Sequence, residues 1–224
     1  MNGGGPRGGH AFNSRLPRTI AMIAAFGLLV VVALNTLSTP GGSSSGPAVG
    51  GPMPPFAAPL ALSAVKGDVN VATRAGQGAA GDRPACQVRG PGILTSCDLV
   101  RGHPAALAFF VPGRARCVDE LDTLAQAARA VPGVQVAAVA LRGDRTKLTG
   151  VVREHHWGFP VAYDRDAVLG NLYGVAVCPQ ITYLLPGGHV QGTTVGELDL
   201  EQLTARLREL AAAARPSQAT TGGA

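Results

Sequence analysis

Residues 105–141 read AALAFFVPGRARCVDELDTLAQAARAVPGVQVAAVAL and decide the fold, because they combine two buried strands with a helix between them. The apolar runs at 105–111 and 134–141 are continuous, which is typical of strands buried on both faces of a sheet. Between them, residues 117–130 repeat apolar side chains at the spacing of a helix with one buried face. This order predicts an α/β domain.

The elements that follow extend the same architecture. The patterns predict helices at 144–156, 166–173 and 200–210, a strand at 160–163, and a hairpin formed by 181–185 and 189–195. Two weaker apolar segments, at 69–73 and 92–100, predict short strands or a hairpin before the main sheet. The resulting order β-α-β-α-β-α-β-β-α predicts a mixed sheet with helices on both faces.

An apolar segment without charge lies near the N-terminus. Residues 19–37, TIAMIAAFGLLVVVALNTL, are long enough to predict a transmembrane helix. Arg7, Arg15 and Arg18 precede this segment, so the positive-inside rule places the N-terminus in the cytoplasm and the rest outside. The alternative is a cleaved signal peptide, but Ser38-Thr39-Pro40 is a poor cleavage site and favours an uncleaved anchor.

Composition divides the chain further. Gly, Ser and Pro dominate the residues after the apolar segment, and such a composition cannot bury enough apolar surface to fold. The predicted organisation is a cytoplasmic basic tail at 1–18, a transmembrane helix at 19–37, a flexible linker at 38–58, a folded domain at 59–214 and a disordered tail at 215–224.

The net charge of +5 does not indicate a nucleic-acid-binding protein. Three of the excess positive charges lie in residues 1–40, which contain no acidic residue, while the remainder mixes both signs. A folded domain without a basic stripe lacks the electrostatic footprint that phosphate binding needs. We therefore expect no nucleic-acid partner.

Residues 155–190, HHWGFPVAYDRDAVLGNLYGVAVCPQITYLLPGGHV, carry a more specific signal. Together with the strand, loop, cysteine and helix at 105–130, they resemble the thioredoxin superfamily over about residues 103–212. The nearest branch resembles the membrane-anchored TlpA/ResA-type redoxins, with peroxiredoxins of the AhpC/TSA type further off. The resemblance implies a thioredoxin-like three-layer sandwich and, for the family pattern, thiol-disulfide exchange.

The active-site loop departs from the pattern of that family, which has CxxC at the start of the helix. In VPGRARC, Cys117 occupies the second, resolving position, and Arg114 stands where the attacking cysteine is expected. An exchange cycle needs one thiolate to attack and a second thiol to release the mixed disulfide. The usual dithiol cycle therefore cannot run through this loop alone.

A second cysteine offers a substitute partner. Cys178 precedes Pro179, which matches the cis-proline of the family, and the resemblance implies that this loop packs against the start of the active-site helix. We expect Cys117 and Cys178 to lie within bonding range, about 7 Å between Cα atoms. The expected cycle is attack by Cys117 and release by Cys178, next to Pro179. A structural disulfide and two free thiols are the alternatives.

Cys86 and Cys97 flank the turn Gly90-Pro91-Gly92 and predict a disulfide that staples a hairpin in an oxidising compartment. A redox or metal role for them is less favoured, because the ligand spacing of a metal site is missing. Copper could be held only by Cys117 and Cys178 together. No cofactor or metal is predicted.

The functional hypotheses are therefore three. The first is an extracytoplasmic redoxin at the cell membrane that exchanges thiols and disulfides with envelope proteins. The second is a redox-inactive binding scaffold with structural disulfides. The third is a peroxidase, although Arg114 stands where peroxiredoxins place a hydroxyl residue. Glu120, in the first turn of the helix, either complements the helix dipole or relays protons to a buried cysteine.

Overall fold

The computed structural model describes residues 22–30, 46–65 and 84–215, and the chain forms two compact units, 1–41 and 42–224. In the first unit, residues 22–30 are helical. No helix among the described residues has the length and apolar character needed to cross a bilayer. The predicted transmembrane segment 19–37 continues beyond the described residues at both ends, so the anchor stays a prediction.

The second unit contains, among its described residues, seven strands, five α-helices and one short 3-10 turn at Ala85–Gln87. In chain order they are β1 Ala57–Pro59, β2 Ile93–Thr95, α1 Ser96–Leu99, β3 Ala105–Phe110, α2 Ala115–Ala130, β4 Gln135–Leu141, α3 Arg145–His155, β5 Val161–Asp164, α4 Val168–Leu172, β6 Gln180–Leu184, β7 Val190–Val195 and α5 Leu200–Ala213.

Five of these strands form a mixed sheet in the order β5-β4-β3-β6-β7. The neighbours β3, β4 and β5 are parallel, whereas β6 and β7 are antiparallel to the strands beside them. The remaining two strands, β1 and β2, pair with each other as a separate antiparallel ribbon. The predicted α/β class with a mixed central sheet is confirmed, and the ribbon accounts for part of the predicted 92–100 segment. The other predicted short strand, at 69–73, lies outside the described residues.

The central strand β3 feeds two cores, because successive side chains point to opposite faces of a sheet. Phe110 belongs to the core formed with the long helices α2, α3 and α5. Phe109 faces the other way, where its ring lies 4.9 Å from that of Tyr173, and Phe56 packs against the same tyrosine. On this second face, the sheet is covered by residues 53–60 and by the short helices α1 and α4.

The expected flexible linker 38–58 differs from the structure over its second half. Met53 donates its amide to Gly188, and Gly50 donates its amide to Val190, so this segment runs along the edge of the sheet at β7. The side chains of Met53 and Phe56 are buried in the second core. Backbone pairing at a sheet edge does not depend on side chains, which is why the Gly/Pro-rich composition did not predict it.

Candidate active site

Cys117 and Cys178 form a disulfide, with 5.7 Å between their Cα atoms. Cys117 lies in the first turn of α2, and Cys178 lies in the loop between α4 and β6. The pair that the resemblance implied is therefore present, within the expected range. The bond joins two positions 61 residues apart in the sequence.

The sheet topology brings the two cysteines together. Because β3 and β6 are antiparallel, with Phe109 opposite Gln180, the end of β3 and the start of β6 meet at the same edge of the sheet. The residues that follow β3 begin α2, and those that precede β6 carry Cys178. Arg114 is the N-cap of α2, and its carbonyl accepts the amide of Cys117 at 3.0 Å.

Two hydrogen bonds hold the loop that carries Cys178. The peptide bond between Cys178 and Pro179 is cis, as the resemblance implied. The carbonyl of Pro179 accepts the amide of Gly196 at 2.9 Å. The buried side chain of Gln180 donates its Nε2 to the carbonyl of Tyr173 at 3.0 Å. The loop is thus attached at both ends to the body of the domain.

A buried carboxylate anchors the helix before this loop. Asp164, at the end of β5, accepts the backbone amides of Val168, Leu169 and Gly170 at 2.8–3.1 Å. A carboxylate that pairs with the free amides of a first helical turn stabilises the start of that helix. Neither Asp164 nor Gln180 was among the predicted site residues, because each lies directly beside a predicted strand, 160–163 and 181–185 respectively.

The two sulfur-bearing residues differ in exposure. Cys117 is 3% exposed and belongs to the core beneath α2, whereas Cys178 is only partly buried. Ala176 and Val177, which precede Cys178, are exposed. A groove of about 530 Å³ opens beside the disulfide, between the start of α2 and this loop. The site is therefore accessible mainly from the Cys178 side.

The rim of the groove is positively charged. Arg114 and Arg116 are both exposed and both line the groove. Nε of Arg116 lies 3.8 Å from a carboxylate oxygen of Glu197, and both side chains are more than half exposed. Solvent weakens such an exposed pair, so this contact contributes little. The cations and the helix N-terminus favour a thiolate on the adjacent cysteine.

Glu120 lies one turn after Cys117 and is 4% exposed. Its carboxylate accepts the amide of Leu198 at 3.1 Å. Burial raises the pKa of this carboxyl, and the nearby Glu197 adds to the effect, while the hydrogen bond from Leu198 opposes it. Glu120 is therefore buried, whereas a residue that only complements the helix dipole can stay exposed to solvent.

The remaining two cysteines, and two histidines at the end of α3, have structural roles. Cys86 and Cys97 form the second disulfide, with 5.6 Å between Cα atoms, and this bond joins the 3-10 turn to α1. His155 contacts the carboxylate of Asp122 at 2.9 Å, while His156 occupies the left-handed C-cap of α3. No group of three or more metal-ligating residues is found in the described parts of the chain.

Comparison with known proteins supports the fold. No protein-family model matches the chain. A thiol-disulfide oxidoreductase ResA of Oceanobacillus iheyensis is 28% identical over 79 residues, which is 35% of this chain and 41% of the relative. The match thus spans about two fifths of the length of that curated relative.

Two solved structures from Chlorobium tepidum are similar in architecture. One, provisionally described as a thiol:disulfide interchange protein DsbE, has a TM-score of 0.55 and 20% identity, covering 75% of this chain and 97% of its own. The other, a thiol:disulfide interchange protein of the thioredoxin family, has a TM-score of 0.51 and 15% identity, covering 74% and 98%. These likenesses show a thioredoxin-like fold. Over part of its length the chain is similar to the ResA relative, and Arg114 stands where the resemblance places the first active-site cysteine.

Proposed function

We propose that the protein is a membrane-anchored, extracytoplasmic thiol-disulfide oxidoreductase that uses Cys117 and Cys178 as its redox pair. The observation that carries this proposal is the disulfide itself, which joins the start of α2 to the cis-proline loop beside an open groove. A disulfide placed only for stability needs no groove. An exchanging disulfide needs one, because a substrate sulfur must reach it.

The pair can supply both halves of an exchange cycle. In the oxidised protein, an incoming thiolate attacks one sulfur, forms a mixed disulfide and displaces the other cysteine as a thiolate. The second substrate thiolate then resolves the mixed disulfide, so the substrate is oxidised by two electrons and the protein is left as a dithiol. The reverse sequence reduces a substrate disulfide, and an external dithiol restores the protein.

The proposed substrates are thiols or disulfides of envelope proteins. The groove is open to solvent and has exposed walls at Arg116 and Val177, so it can admit a chain segment that carries a cysteine. The ResA relative is described as a thiol-disulfide oxidoreductase, which agrees with this chemistry. Thiol-disulfide exchange through a cysteine pair needs no small-molecule cofactor.

The proposed location rests on the sequence and on the cysteines. Residues 19–37 have the length and apolar character of an anchor, with the arginines on the cytoplasmic side. All four cysteines are paired, which fits an oxidising compartment. Membrane fractionation of the full-length chain, followed by protease treatment of intact cells and spheroplasts, tests this location. A chain found in the soluble fraction, or protected from protease outside the membrane, would contradict it.

Turnover tests the activity. The full-length chain, in mild detergent, is assayed for reduction of insulin and of a peptide disulfide with dithiothreitol as electron source. We expect catalysis by the native chain and its loss in the Cys117→Ser/Cys178→Ser double variant. The matched control is Cys86→Ser/Cys97→Ser, which also lacks one disulfide and should retain catalysis.

A redox-inactive binding scaffold is the competing function, and one observation favours it. Arg114 occupies the position of the family's attacking cysteine, and the remaining Cys117 is buried. On that account, the double variant at 117 and 178 would be less stable but would show the same background turnover as the native chain. Equal turnover by the native chain and the double variant would therefore support the scaffold function and contradict the oxidoreductase function.

A further inference from the structure

We infer that Cys178, the residue before the cis-proline, is the sulfur that exchanges with substrate, and that Cys117 is the resolving cysteine. This inference rests on the proposed exchange function and reverses the order that the sequence suggested. It assigns the substrate-contacting role to a loop residue, while the cysteine on the helix completes the cycle.

The first support is access. A thiolate attacks a disulfide along the line of the S–S bond, on the side away from the sulfur that leaves. Cys117 is 3% exposed and lies in the core with Val118 and Leu121, so core side chains occupy the space around it. Cys178 is partly buried and follows exposed residues. Both cysteines line the groove, and the partly buried Cys178 is the more accessible of the two to an incoming sulfur.

The second support is the stability of the leaving thiolate. When Cys178 is attacked, the electron pair of the S–S bond moves to Cys117. That residue lies in the first turn of a sixteen-residue helix, where the helix dipole stabilises a negative charge. Arg116 lies in the same first turn, and Arg114 is the N-cap residue. A better-stabilised thiolate leaves faster, so the helix dipole favours Cys117 as the leaving group.

The steps balance in the reducing direction as well. The Cys178 thiolate attacks a substrate disulfide, forms a mixed disulfide and releases one substrate thiolate, which takes a proton from solvent. The Cys117 thiolate then attacks the sulfur of Cys178, restores the intramolecular disulfide and releases the second substrate thiolate. The substrate gains two electrons and two protons, and an external dithiol reduces the protein again.

The third support is the fixed geometry of the loop. Gln180 and Gly196 hold the loop on both sides of Pro179, and Tyr173 is buried at its start. A sulfur held on a fixed loop at the mouth of a groove can meet a substrate without opening α2. Attack at Cys117 would instead meet a residue that is only 3% exposed, in the first turn of that helix.

Trapping of mixed disulfides tests the order. The full-length Cys117→Ser and Cys178→Ser variants lack the same disulfide, so each controls for the loss of stability in the other. Each is reduced, freed of reductant and mixed with a fluorescent peptide disulfide, and adducts are separated without reductant. We expect a stable mixed disulfide at Cys178 in Cys117→Ser and at least about tenfold less adduct at Cys117 in Cys178→Ser, because reactivity follows exposure of the thiolate.

A second readout uses the native chain. After mild reduction, a short pulse of iodoacetamide followed by peptide mapping should label Cys178 before Cys117. Faster labelling of Cys117, or a dominant adduct in Cys178→Ser, would overturn the inference while leaving the exchange function intact. If the native chain shows no turnover and neither variant forms an adduct, the proposed function itself fails, and the inference fails with it.

Discussion

The backbone amide of Leu198 donates a hydrogen bond to the buried carboxylate of Glu120, one turn beyond the disulfide cysteine on α2. Leu198 lies just before α5, so this contact joins the active-site helix to the C-terminal helix. The carboxylate is nevertheless removed from water, and its burial outweighs the hydrogen bond, which is why the pKa of Glu120 is raised.

The raised pKa has a consequence for stability. Below the unfolded pKa of a carboxyl group, both states are protonated and Glu120 contributes no dependence on pH. As the pH rises above the ordinary pKa of a glutamate carboxyl and through the raised pKa of the folded state, ionisation costs the folded state more than the unfolded state. We expect Glu120→Gln, whose amide oxygen can still accept from Leu198, to gain stability relative to the native chain as the pH rises.

Urea unfolding of both chains between pH 4 and pH 8 measures this difference. Glu154→Gln, at an exposed position near the end of α3, is the control for the loss of one surface carboxylate. A native chain that becomes more stable than Glu120→Gln with rising pH would mean that the ionised carboxylate is favoured in the fold, contrary to its burial.

The positive rim of the groove predicts a preference for anionic substrates. Arg114→Gln and Arg116→Gln should each slow exchange with a peptide disulfide flanked by glutamate by a few-fold, because each removes a cation from the approach path. The effect should shrink between low salt and about 0.5 M salt, where exposed charges are screened. Arg153→Gln, on the exposed surface of α3, is the control. Equal rates for glutamate-flanked and lysine-flanked peptides in all chains would refute the preference.

The two disulfides should separate stability from activity. Removing Cys86 and Cys97 as alanines opens a short loop, which the chain-entropy model values at about 3 kcal/mol of unfolding free energy. The bond lies on the ribbon side of the molecule and shares no residue with the groove. Denaturation should show this loss, while exchange rates at a temperature well below unfolding stay within about twofold, since independent sites affect each other little. A large fall in exchange would mean that this bond takes part in the chemistry.

Tyr173 connects the loop of Cys178 to residues 46–58. Its hydroxyl donates to the carbonyl of Pro54 at 2.8 Å, and its ring is fully buried. Tyr173→Phe should cost about 1–2 kcal/mol of unfolding free energy, because it leaves that carbonyl without its partner. Hydrogen exchange should accelerate first in residues 46–58. Tyr183→Phe loses a hydroxyl contact to the partly exposed Thr194 and should cost less. Similar costs in both variants would contradict the special role of Tyr173.

The sequence predicted the elements of the main sheet because each has a strong local pattern. The continuous apolar run of β3 and the leucine stripe of α5 need no information from the rest of the chain. The meeting of Cys117 with Cys178 came from the resemblance, since it depends on a contact between residues 61 positions apart.

Other features were beyond local patterns. The course of residues 46–53 along β7 is made by backbone hydrogen bonds, which leave little trace in side-chain composition. The proposed roles of Cys117 and Cys178 depend on their different burial, which the residue type alone does not reveal. Asp164 resembles any loop carboxylate until its three amide partners are known.

The proposed function requires that the Cys117–Cys178 bond opens and closes under mildly reducing, non-denaturing conditions. The direct measurement is a redox titration of the full-length chain in dithiothreitol buffers, with alkylation and peptide mapping of each cysteine at every potential. We predict that Cys117 and Cys178 titrate together as one two-electron couple, while Cys86 and Cys97 stay oxidised until more reducing potentials. If both disulfides open only under strongly reducing or denaturing conditions, the pair is a structural staple, and the account is wrong.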